Sequence, residues 1–134
     1  MFEIKQNIRD REAEDKGAWM EFGGGRFCVA RINNSRYKGH IQKQYQSNKA
    51  AISRDDFEAF ALADKITAEG IAKYILLDWE NITDNGKAVE YNSKLALEIL
   101  EEHDDLREAI EDFSRNRENY LVKSEEETSE DLKK

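Results

Sequence analysis

Residues 73–91 read KYILLDWENITDNGKAVEY. An apolar run ends in Trp79 held between Asp78 and Glu80, and the chain then breaks at Asp84-Asn85-Gly86. Ile71, Ile75 and Trp79 recur at i, i+4, with Tyr74 and Asp78 on the neighbouring line, so the spacing predicts a helix that ends near Trp79. A tryptophan there is most simply a core anchor whose indole N–H finds a carbonyl near the turn. The competing reading is an exposed ring used for binding. Asp84-Asn85-Gly86-Lys87 is a turn, and Ala88 to Tyr91 is short and extended.

Upstream, GAWMEFGGGRFCVARI reads as a β-hairpin. Trp19–Phe22 is short and aromatic, Arg26–Ile32 alternates, and Gly23-Gly24-Gly25 supplies the positive φ of a tight connection. The glycines are not a phosphate loop, since no Gly-Lys-Ser/Thr follows them. A two-stranded ribbon is marginal alone, so this one is expected to lean on a helix or on another chain. Asn33-Asn34-Ser35 offers N-cap oxygens to a helix whose Tyr37, Ile41 and Tyr45 recur at i+4. Ser53 and Asp56 have the spacing of a capping box, and Phe57, Phe60 and Ala61 then open a buried helical face. The helical pattern continues to Trp79, divided at Gly70 by a bend near Thr67. Asn92-Ser93 caps a stretch carrying Leu95, Ala96, Ile99 and Leu100. His103-Asp104-Asp105 interrupts it, and a last helix carries Leu106, Ala109, Ile110 and Phe113 toward Val122.

These elements predict a mainly α fold with a minor β part: an N-terminal β-hairpin followed by a bundle of four or five helices. Residues 1–123 are expected to form one domain, with 1–16 flexible and the acidic tail 124–134 disordered. The tail SEEETSEDLKK has one apolar residue, too little burial to offset its ordering entropy.

Composition bounds the function. The 134 residues include 37% charged side chains, and the net charge is −8. It is unevenly spread: residues 1–50 carry ten Lys+Arg against six Asp+Glu, and residues 51–134 carry eleven against twenty-three. An acidic chain does not invite nucleic acid, whose affinity rests on phosphate neutralisation. The opposed halves can attract each other between copies, so a homo-oligomer is an expected partner state. The single cysteine, Cys28, fits a reducing compartment and excludes an internal disulfide. No stretch is long and apolar enough to span a membrane, and MFEIKQNIRDREAEDK lacks the apolar core of a signal peptide.

Catalysis needs polar groups that converge. The two histidines, His40 and His103, share no metal-binding spacing with each other or with the cysteine. The adjacent acid pairs Asp55/Asp56 and Asp104/Asp105 fall where helix caps belong, and Asp84-Asn85-Gly86 lacks the rest of a calcium loop. The sequence therefore points away from an enzyme, and no cofactor or metal is expected.

The ordered set ILLDWENITDNGKAVEYN at 75–92, LALEILEEHDDLREAIEDFSRNRENYL at 95–121 and FCVARINNSRYKGHIQK at 27–43 resembles the tail assembly chaperones of long, non-contractile-tailed bacteriophages and their prophages. The resemblance covers residues 19 to about 122. It implies a small non-enzymatic protein that binds the aggregation-prone tape-measure protein, keeps it soluble and helps recruit tail-tube subunits. It also implies action in the host bacterial cytoplasm and absence from the mature virion. Many members have a longer, frameshifted form that contacts the tube protein.

Tape-measure proteins are long helices with apolar stripes, for which helix-in-groove contact is the natural mode. The candidate partner-binding seam is Tyr37, Ile41 and Tyr45 with Tyr74 and Trp79, rimmed by charge. Two rival readings are an acidic inhibitor or DNA mimic that occupies a host protein, and a structural tail completion protein.

Overall fold

A computed structural model describes residues 1–123. The predicted disorder of 124–134 lies outside those residues. After a short helix α1 (Arg11–Lys16), strand β1 (Ala18–Phe22) pairs antiparallel with β2 (Gly25–Val29), Phe22 facing Gly25 across Gly23-Gly24. Both turn glycines have positive φ, at 58° and 85°, which a side chain would resist. The hairpin forms as the sequence predicts, but its second strand starts at Gly25 and ends at Val29, short of the expected Ile32.

Its support is a third strand. The apolar run does not continue as a helix to Trp79: Ile71–Ile75 forms one π-helical turn, and Leu76–Glu80 is strand β3, paired antiparallel with β2. The sheet order is β1-β2-β3. Phe27 faces Trp79 and Val29 faces Leu76, with a register shift between Cys28 and Val29. A continuous apolar run fits a buried strand as well as a buried helix, and its period cannot separate them. Pairing with β2 decides for the strand.

The change from helix to strand frees backbone carbonyls, and four of them find donors outside the turn. The Tyr91 hydroxyl donates to Leu76 O at 2.7 Å and reaches Ala72 O at 3.4 Å. Ala30 N donates to Ile75 O at 2.8 Å, and Asn34 Nδ2 to Tyr74 O at 3.4 Å. A buried carbonyl without a donor would cost about 1–3 kcal/mol. The wide turn therefore stands because three residues from outside it, Ala30, Asn34 and Tyr91, complete it.

The helices begin largely where the sequence places caps. Helix α2 (Ser35–Ser47) starts with Asn34 accepting from the Tyr37 amide at 2.8 Å. A break at Asn48 separates it from α3 (Lys49–Ile52). Helix α4 (Phe57–Gly70) corrects the expected capping box. Asp56 itself is the N-cap, accepting from Ala59 N at 2.9 Å, while the Ser53 hydroxyl is turned back to Lys49 O. Gly70 ends α4 instead of dividing a longer helix, and a Cβ there would press to 3.0 Å on Tyr37 and His40.

The Asp84–Lys87 turn closes a small ribbon of β4 (Thr83–Asp84) and β5 (Lys87–Ala88), with φ of 51° at Asn85 and 79° at Gly86. Helix α5 (Ser93–Glu102) is capped by Asn92, accepting from Leu95 N at 2.7 Å. Helix α6 (Asp104–Arg115) ends well before Val122, and a 3-10 turn (Arg117–Tyr120) follows. The fold is thus mostly helical, with the N-terminal hairpin extended into a small sheet.

The core lies between the sheet, the π turn and the last two helices. Phe27, Val29, Ile71, Ile75, Leu76, Trp79, Ala96, Leu100, Leu106 and Ile110 form it. At about 1.5–3 kcal/mol for each large apolar side chain removed from water, this cluster dominates the stability. A second tie joins residues 8–10 to 120–122: Asp10 N donates to Tyr120 O at 2.7 Å and Val122 N to Ile8 O at 2.8 Å. Beside them the buried Glu14 accepts from both Arg9 and Arg31.

Candidate functional site

Of the five residues in the sequence-derived seam, the structure gathers some and separates others. Helices α2 and α4 run antiparallel, with Tyr37 against Gly70 and His40 Nε2 at 3.3 Å from Ile66 O. Tyr74, in the π turn, meets His40 at 5.6 Å between ring centroids, and Lys73 Nζ lies 5.4 Å over the Tyr74 ring. Tyr37, Ile41 and Tyr74 are half-buried. Burial, helped by the charge of Glu111, raises the Tyr37 phenol above its ordinary pKa. Tyr45 is exposed. Trp79 is in the core, its ring at 5.0 Å and 77° to Tyr91 and its indole N–H donated to Val89 O at 2.8 Å.

The far end of the α2–α4 hairpin carries what sequence reasoning placed inside. Phe57 is 85% exposed and Phe60 63%, and Ala61 is exposed as well. The i, i+3 spacing does put the two rings on one face, but no element of the described chain covers that face. No residue from Ser35 to Glu58 is buried, and α3 packs on α2 and α4. Between Asn33 and Arg54 the sequence has five cations and no carboxylate. Among the described residues, Lys43, Lys49 and Arg54 at this end enter no ion pair. Asp55, Asp56 and Glu58 sit at the start of α4, where the helix dipole favours negative charge. The result is an aromatic tip with charge of both signs around it, Lys49 and Arg54 before it and Asp55, Asp56 and Glu58 beside it.

A second surface is concave. A groove of about 540 Å³ opens between the β1–β2 turn, the β4–β5 ribbon and α5. Phe22, Phe27, Ile82, Val89, Leu95, Ile99 and Leu106 give it apolar walls, and Asp84, Glu98, Glu102 and His103 stand on its lining. No lysine or arginine lines it. Among the described residues the three carboxylates form no salt bridge. Sequence reading missed this groove because its walls come from four segments. The pairing of Leu95 with Ile99 at i+4 was the one local signal.

Elsewhere charges are used up in structure. Arg107 bridges α6 to α4 through Asp64 at 2.9 Å and holds Glu111 at 3.0 Å. Burial alone would raise the Glu14 carboxyl, but hydrogen bonds and charge from Arg9 and Arg31 outweigh it and hold the pKa low. Burial raises the Cys28 thiol, with Asp78 adding to the shift, and its Sγ lies 3.3 Å from Lys16 O. The thiol is neither exposed nor activated, unlike a nucleophilic cysteine. Among the described residues no three His, Cys, Asp or Glu side chains gather into a metal-binding group, and no helix is long and apolar enough to cross a membrane.

A small, mostly helical domain with one exposed aromatic tip and one acid-lined apolar groove is the class that fold and surface define. The model of the YdaY prophage protein family matches residues 32–134, and the chain belongs to that family. No curated protein and no solved structure matches it.

Proposed function

We propose that this prophage protein is a non-enzymatic tail assembly chaperone, which binds the tape-measure protein, keeps it soluble and helps recruit tail-tube subunits. The observation that carries the reading is the aromatic tip. Two phenylalanines on one helix face, exposed at 85% and 63%, retain a burial free energy of about 1.5–3 kcal/mol each that only a partner can collect. The exposed Tyr45 adds a further aromatic side chain on the partner helix α2. A holdase needs reversible apolar contact set in a charged, solubilising surround, and the net charge of −8 provides the latter. Membership of a prophage family supports a phage role, and the sequence resemblance to tail assembly chaperones supplies the client.

Co-expression with the tape-measure protein encoded in the same prophage tests this. Soluble tape-measure protein that appears only with this chain, and co-elutes with it, is the expected result. An unchanged insoluble fraction with nothing co-purifying overturns the proposal.

A further inference from the structure

The groove beside α5 has a chemistry that the aromatic tip does not share. Phe27 and Leu106 at its base belong to the core, Leu95 and Ile99 are half-buried, and Phe22 at the rim is 38% exposed. Leu95 and Ile99 stand at i, i+4 on α5, and Glu98 and Glu102 form a second line at the same spacing on the same side. Asp84 adds a carboxylate from the β4–β5 ribbon. Residues 95–105 hold five carboxylates and no lysine or arginine. Lys87 and Lys94, the nearest cations in sequence, do not line the groove. An apolar line half in water thus runs beside a row of charge of one sign.

We infer that the groove binds a cationic amphipathic helix of a partner protein. Two lines that each repeat after four residues, about 6 Å along the axis, match the side-chain rows of a second helix laid along α5. An apolar stripe on that helix covers Leu95, Ile99 and Phe22, in the helix-in-groove mode. Lysine or arginine beside the stripe meets Glu98 and Glu102, whereas an anionic partner is repelled there. The volume of about 540 Å³ lies within the roughly 300–1,000 Å³ of ordinary binding sites. The inference does not rest on the chaperone reading, whose surface is the Phe57/Phe60 tip.

Titration of the full chain with a fluorescent synthetic peptide provides the test. The probe is a helix of about 18 residues built only of leucine and lysine, with leucine at i, i+3, i+4 and i+7. One comparator has the same composition in an order without helical period, and another has glutamate in place of lysine. Wild type should bind the patterned lysine probe at least about 10-fold more tightly than either comparator. Glu98→Lys/Glu102→Lys changes only exposed side chains and should weaken binding at least about 10-fold. Phe22→Ser, which leaves the charge alone, should weaken it about 3- to 10-fold. Asp15→Lys/Asp112→Lys makes the same change in net charge at exposed positions outside the groove and should bind like wild type. A melting curve checks that each variant folds. A patterned lysine probe that does not bind overturns the inference. Equal binding of the unpatterned peptide also overturns it, since the groove would then take an extended chain or charge alone. So does an equal loss in the two charge-reversed variants, which would trace binding to the overall negative charge. None of these results bears on the co-expression test, so the two readings fail separately.

Discussion

Two aromatic pairs of similar size have opposite fates in this molecule. Trp79 and Tyr91 meet edge to face at 5.0 Å, and both have a polar end that is bonded, the indole to Val89 O and the hydroxyl to Leu76 O. Phe57 and Phe60 share a face of α4, have no polar end to fix them, and remain in water. The first pair holds a helix-to-strand change in place. The second contributes almost nothing to the fold that holds it, which is why it is read as a surface for a partner.

The comparison can be broken first at Trp79. Trp79→Ala removes a core ring and its hydrogen bond and should cost about 3–5 kcal/mol in urea unfolding. A loss under about 1 kcal/mol would mean the core does not depend on this pair. The next largest effect is remote from both pairs and serves as a control on the frame. Glu14→Gln weakens the hydrogen bonds from Arg9 and Arg31 and should cost about 1.5–3 kcal/mol at neutral pH. Glu14 has a lowered folded pKa, so its contribution is fully present above its ordinary value of 4.5 and is lost as pH falls through the folded value. The variant should therefore show a shallower acid-side loss of stability than wild type, and equal slopes would remove the ion triad from the account.

Tyr91→Phe keeps the ring and deletes the donor to Leu76 O. It should cost about 1–2 kcal/mol, read as a lower urea midpoint with an unchanged slope. Smallest is the change at the other pair. Phe57→Ser with Phe60→Ser should shift stability by no more than about 0.5 kcal/mol per site, as surface substitutions do. A large loss there would mean the tip is packed in solution and the contrast is false.

What the sequence discloses follows range. The Gly23-Gly24 turn, the Asn34 and Asn92 caps and the Asn85-Gly86 turn are set by neighbours within four residues, and they stand where the sequence places them. Strand β3 was not legible because Ile71, Ile75 and Trp79 keep a helical i, i+4 spacing, and only the pairing with β2, some fifty residues away, makes Leu76–Glu80 a strand. Phe57 and Phe60 show the reverse failure. Their i, i+3 spacing correctly puts them on one face, but spacing carries no information on whether another element covers that face. The groove is assembled across a still longer separation, Phe22 to Leu106, and the Arg9–Glu14–Arg31 triad joins residues five and seventeen apart that share no periodic pattern. For Trp79, the local reading found the carbonyl partner near the turn but took the backbone for helix.

The most direct measurement is co-purification of the tape-measure protein with the Phe57→Ser/Phe60→Ser variant, alongside wild type and at matched expression. The account predicts a variant that melts with wild type yet brings down little or no tape-measure protein. A variant that holds the client as well as wild type would contradict it, since the exposed rings would then have no part in binding.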